Sequence, residues 1–239
     1  MPENSPWFQI YSFAPPNFPY CGIHKEGWVH DPIDTYSSIF YLIVSFILLY
    51  KAKSYPVVLK RIAYIPFFVA LGSTLFHMSF TFVFLVADFL GIFFLNFYGV
   101  SLNLARLKKI ELKNVLNLSL LSTFFWGVLM VLVYRFKVHT GILMIPVIVS
   151  LTLTEYLCWR KEKNIFYKNY IIAFILCLAG YVCMLLEGVP FRYGCSGAIL
   201  GKLQLHSLWH LLSSISMFYI FKFYSQKTIC EKLQESSNG

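Results

Sequence analysis

Between Ile62 and Ala105 the chain runs for 44 residues with one charged side chain, Asp88. As a single α-helix at 1.5 Å per residue this stretch would be roughly 66 Å long, about two crossings of a ~30 Å hydrocarbon core. It must therefore fold back on itself, and Ser79–Phe82 is the most polar place for the turn. Five further windows lack Asp, Glu, Lys and Arg: Tyr36–Tyr50, Asn114–Tyr134, Val138–Thr154, Asn169–Leu186 and Leu203–Phe221. Together these predict an all-α fold, a bundle of seven transmembrane helices. Hydrophobic residues make up 58% of the 239 positions and charged residues 13%, about half the charge of a soluble domain. So few charges could not cover a soluble globule, and so much apolar surface is incompatible with a disordered chain. Long alternating segments are absent, which argues against a β-barrel.

Loop charges orient the bundle. Lys51, Lys53, Lys60, Arg61, Arg106, Lys108, Lys109, Lys113, Arg160, Lys161, Lys163, Lys168, Lys222, Lys227 and Lys232 fall on one side of the seven spans. Lys25, Arg135, Lys137, Arg192 and Lys202 fall on the other. Fifteen against five places the N-terminus outside and the C-terminus in the cytoplasm. The net charge of +9 reflects this asymmetry and does not call for a nucleic-acid partner. One integral membrane domain is expected over 1–239: an extracytoplasmic arm (1–34), the bundle (35–223) and a cytoplasmic tail (224–239). The polar, Pro-rich start shows no apolar signal-peptide core, so the first span is expected to serve as the insertion signal. No internal repeat supports an inverted-repeat transporter. Cys21 and Cys195 both fall outside and form a candidate disulfide across the arm. Cys158 and Cys230 should be free at the cytoplasmic side, with Cys177 and Cys183 inside a helix.

Ionisable groups at membrane depth are costly and are functional candidates by default. His206 and His210 lie four apart in QLHSLWHLL, one turn apart on one helix face. His77 ends the second span, with Ser73 one turn before it, and Asp88 lies early in the third. With this topology His77, Asp88, His206 and His210 share one depth on the extracytoplasmic side. Three imidazoles with one open position suit a catalytic zinc ion, and the donor set disfavours magnesium or calcium. Two alternatives stand beside this reading. The histidines could be hydrogen-bonded inside a bundle, or His77 and one partner could clamp a haem iron. Ser73 could donate to an oxyanion or bond back to its own helix carbonyl. Glu187, at the outer end of the sixth span, reads as a surface residue that pairs with Arg192 or, alternatively, lies near the mouth of the site, and Glu155 with Trp159 and Arg160 as an interfacial cap.

The pattern Gly72-Ser73-x-x-Phe76-His77, Asp88, and Leu205-His206-x-x-Trp209-His210 resembles the alkaline ceramidases. They belong to a superfamily of seven-helix membrane hydrolases that includes adiponectin-receptor-like proteins. Tyr20-Cys21 and Asp31-Pro32-x-Asp34-Thr35-x-Ser37 resemble the ceramidase branch in particular. The resemblance implies zinc-dependent hydrolysis of the amide of ceramide, or of a similar N-acyl lipid, to a fatty acid and a sphingoid base. His77, His206 and His210 would hold zinc, Asp88 would act on the zinc's water, and Ser73 would stand beside the metal. It also implies a multi-pass protein of the ER, Golgi or plasma membrane in a eukaryote, or of the inner membrane in a bacterium. A calcium site follows only weakly, with Glu26, Asp31 and Asp34 as candidates. Gly22-Ile23-His24-Lys25 follow Cys21, and Asp31 and Asp34 stand where Glu and Asn are usual. A solvated acidic loop capping the first span is the equal alternative. In a second functional reading the chain is a receptor or sensor with a structural zinc.

Overall fold

The computed structural model describes residues 1–17, 27–162, 164–187 and 204–235. Its α-helices are α1 (Phe8–Phe13), α2 (Pro32–Ser37), α3 (Ile39–Lys51), α4 (Val57–Ser79), α5 (Phe82–Arg106), α6 (Val115–Arg135), α7 (Met144–Lys161), α8 (Lys168–Glu187), α9 (Leu205–Tyr224) and α10 (Lys227–Glu235). No strand occurs among the described residues. Among the described residues six helical segments are long and apolar enough to cross a membrane: Pro32–Ser54, Val57–Ser79, Phe82–Arg106, Leu112–Arg135, Thr140–Lys161 and Lys168–Glu187. The expected seventh span coincides with α9, a 20-residue helix that is less apolar than these six. The reason is in its sequence: His206, Ser207, His210, Ser213, Ser214 and Ser216 are all buried.

Side-chain placement is inside out relative to a soluble protein. Phe46, Phe68, Leu121, Phe124, Phe125, Leu153 and Ile175 are all more than half exposed, whereas Ser, Asp and His side chains fill much of the interior. Exposed apolar surface spread over several long helices marks a lipid-facing rim.

The 44-residue stretch folds back where its sequence requires. α4 ends at Ser79, Phe80 adopts a left-handed conformation with φ 48°, and α5 begins after Thr81. A non-glycine residue there costs about 1–2 kcal/mol. The turn is held by a 2.6 Å hydrogen bond from Phe80 N–H to the Phe76 carbonyl. The Phe80 ring also stacks on Phe76 at 5.7 Å and meets His30 at 5.1 Å. Below the turn α4 and α5 approach closely: a Cβ on Gly72 would lie 2.8 Å from the Ala87 carbonyl oxygen. Glycine is required here for contact between two backbones. The approach sets Ser73 and His77 of α4 beside the start of α5.

At the opposite end of the bundle, Arg106 of α5 is buried. Its Nη1 lies 2.9 Å and 3.0 Å from the two Glu155 oxygens, and its Nη2 lies 2.6 Å from Glu162. The Tyr167 hydroxyl also donates to Glu155, at 2.9 Å. The expected interfacial cap at Glu155 is therefore corrected. Packing of α7 against α5 brings the carboxylate onto a guanidinium 49 positions earlier, and that partner outcompetes the local Arg160. The tail also carries more order than its polarity suggested. α10 folds back on α5, buries Ile229 and Leu233, and sets Lys232 3.3 Å from Glu162.

Candidate metal centre

Two helices bring the imidazoles together. α4 supplies His77 on its last turn, and α9 supplies His206 and His210 on its first two. Ring centroids are 4.9 Å apart for His77–His206, 5.1 Å for His77–His210 and 4.7 Å for His206–His210. One ring nitrogen from each lies within 4.8 Å of the other two, and all three side chains are buried. Ligand atoms on a tetrahedral zinc stand roughly 3.3 Å apart, so small rotations of these rings would close them on one ion. Bis-histidine haem does not fit. Its two imidazoles must flank a porphyrin, and three mutually tilted rings about 5 Å apart leave no space for a macrocycle.

The end of α2 completes the cluster. The Ser37 hydroxyl donates to the Asp34 carbonyl at 3.0 Å and lies 2.7 Å from His210 Nδ1. In the tautomer with Nδ1 protonated, the Ser37 oxygen accepts from Nδ1–H and the Nε2 lone pair is left for a metal. Ser73 Oγ is 3.3 Å from this same Nε2 and accepts from Ser38 Oγ at 3.0 Å. Tyr41 stands behind, its ring 5.5 Å from that of His210 and its hydroxyl 2.6 Å from Ser213.

The acidic residues divide. Asp88 is buried on α5, against the backbone of Gly72 next to Ser73. Asp31 and Asp34 are fully buried and form a second set capable of holding a metal together with His77. A solvated acidic loop at the first span is thereby corrected. The helix begins at Pro32, Asp31 caps it, and backbone bonds from His30 and Asp31 to the Met78 and His77 carbonyls draw the segment onto the end of α4. Glu187 is also buried, at 1% exposure, and accepts from the His206 N–H at 2.5 Å. The surface reading of Glu187 is corrected too: its carboxylate satisfies an open N–H at the start of α9, where negative charge is favoured. Cys21, Cys195, Glu26 and Arg192 lie outside the described residues, so the candidate disulfide and part of the calcium set have no structural account. Cys158, Cys177, Cys183 and Cys230 are free thiols.

Sequence reasoning from charge-free windows started the first span at Tyr36 and so assigned no role of its own to Ser37, Ser38 or Tyr41. The available signal was local: an Asp-Pro helix start followed by polar residues at Asp34, Ser37 and Ser38, three and four apart on one face. A search of curated proteins returns no match. A family model described as Ceramidase matches residues 28–238, nearly the whole chain. The histidines, Asp88, Ser73 and the α2 segment all fall within that span, and on this match the chain belongs to the ceramidase family.

Proposed function

We propose that this protein is a zinc-dependent intramembrane amidase that hydrolyses ceramide or a closely similar N-acyl lipid. Family membership implies ceramide hydrolysis and a lipid substrate. The observation that carries the metal reading is the mutual approach of three buried imidazoles, His77, His206 and His210. Three neutral nitrogen donors select zinc over calcium, which needs several oxygen ligands. Asp31 and Asp34 could supply oxygens to a neighbouring cation, but the imidazole set is the better defined.

Zinc bound there would polarise the amide carbonyl and make water acidic near neutral pH. The protein's own residues supply the rest. Asp88 takes the proton of the attacking water and returns it to the departing amine nitrogen. Ser73 donates to the carbonyl oxygen as negative charge develops on it. Ser37 keeps His210 in the tautomer that presents Nε2. Tyr41, locked to Ser213, fills the space behind His210 and excludes water.

An apolar cavity, part of it open, begins one turn beyond the histidines and is lined by residues that include Ile92, Asn96, Ile148, Trp209, Ser213 and Met217. That apolar lining suits a hydrocarbon chain. A shallow depression between α7 and α8 shares Ile148, Thr152 and Phe174 with it, consistent with entry from the lipid side. We assign α9 as a seventh crossing, with the N-terminus outside, on the fifteen-to-five distribution of Lys and Arg. The site then lies in the outer half of the membrane. The test is fatty-acid release from purified protein given a panel of N-acyl lipids, before and after chelation. Release of ceramide's acyl chain, lost with a zinc chelator and restored by zinc, is expected. Turnover indifferent to chelation would overturn the reading.

A further inference from the structure

We infer that Gly99, Leu151 and Tyr224 form a floor that limits the length of the hydrocarbon chain this protein accepts. The inference rests on the amidase reading for its substrate class, but the floor itself is a packing feature. The cavity starts at Trp209 and Ser213, beside His210, and at Ile92, one turn beyond Asp88; it ends at Gly99, Leu151 and Ile220. Along α5, Asp88 to Gly99 is roughly 16 Å, and along α9, His210 to Ile220 is roughly 15 Å. Both are about half of a ~30 Å hydrocarbon core, the depth of one leaflet and hence of one membrane-lipid chain.

The floor is closed from below. The Tyr224 hydroxyl lies 3.0 Å from Asn103 Oδ1 and 3.3 Å from the Gly99 carbonyl oxygen, and its side chain is fully buried. Beneath it lies the Arg106–Glu155–Glu162 layer. Hydrocarbon entering that layer would strip buried ion pairs of their partners, so the cavity cannot extend downward. Gly99 is filled to the limit: a Cβ there would meet Leu151 Cδ1 at 2.7 Å and the Tyr224 hydroxyl at 3.3 Å. The Leu151 terminus is flexible and the nearest free space is the cavity, so a methyl at position 99 pushes leucine into the chain's path. Trimming Leu151 does the opposite.

Two variants with opposite expected effects test this, Gly99→Ala and Leu151→Ala, in the full-length protein. The first readout is binding: displacement of a fluorescent fatty acid by a homologous saturated series, from shorter to longer than a membrane acyl chain. The second is competitive turnover of two ceramide series, one varied in the acyl chain and one in the base, which identifies the chain that is measured. Gly99→Ala should lower the long-to-short ratio by about tenfold or more, the scale of one-methylene discrimination in a hydrophobic pocket. Leu151→Ala should raise it. A binding cut-off that moves in these directions without any ceramide turnover would uphold the floor and overturn the amidase reading. Ratios that stay at the wild-type value, or shift the same way in both variants, would overturn the floor even where ceramide is hydrolysed.

Discussion

His210 shows how much a single hydroxyl can decide. Ser37 stands 2.7 Å from Nδ1, and in the tautomer where Nδ1–H donates to that oxygen, Nε2 is the nitrogen that can hold a metal. Outer partners of this kind typically change metal affinity by about 10–100-fold. Ser37→Ala is expected to weaken zinc binding by that factor in competition with a chromophoric chelator, and Ser37→Thr to restore most of it. Asp88 belongs to a different class. Asp88→Asn should leave zinc content intact and lower turnover by about 10²-fold or more, the usual contribution of a positioned general base. Loss of zinc together with turnover would instead make Asp88 a structural neighbour of Gly72. Of these residues, His77, His206 and His210 were legible in the sequence because ionisable groups stand out in apolar helices; Asp88 stands out in the same way but falls in neither metal-capable group, and its role is a proposal. Ser37 was only partly legible: its spacing from Asp34 marks a polar face on α2, but its partner His210 appears only when α2 is seen against α9.

Helix against helix, the contacts that place the site are backbone approaches and buried ion pairs. Gly72→Ala would force a methyl onto the Ala87 carbonyl at 2.8 Å. With backbone on both sides the cost is expected at about 1–3 kcal/mol, read as a fall in melting temperature in detergent, with Gly72→Ser no better. Arg106→Leu leaves Glu155 buried without its cation and Glu162 with Lys232 alone, and should destabilise by about 3–5 kcal/mol. The replacement of Glu155 by Gln in the same background should recover part of that loss. Helix positions were readable because charge-free windows end at charged residues, as at Lys113 and Arg135. The partner of Glu155 was not readable. Its guanidinium lies on a different helix, and the nearby Trp159 and Arg160 offered a simpler local account.

For the whole molecule, composition alone required a lipid environment, and the long, outwardly apolar helices agree with it. The count of crossings turns on α9, whose polar face serves the site and dilutes the apolarity by which spans are recognised. Impermeant thiol reagents on intact membranes should label a cysteine placed at Lys137 but not one placed at Lys109. Labelling of both from the same side would undo the seven-crossing topology and the outer location of the site. The most direct measurement is zinc-edge X-ray absorption on the purified protein, with metal content determined in parallel. One zinc per chain, with three imidazole nitrogens at about 2.0–2.1 Å and loss of the ion in His206→Ala, is the expected result. Protein that binds no zinc, or whose zinc shell lacks imidazole and survives that substitution, would contradict the account.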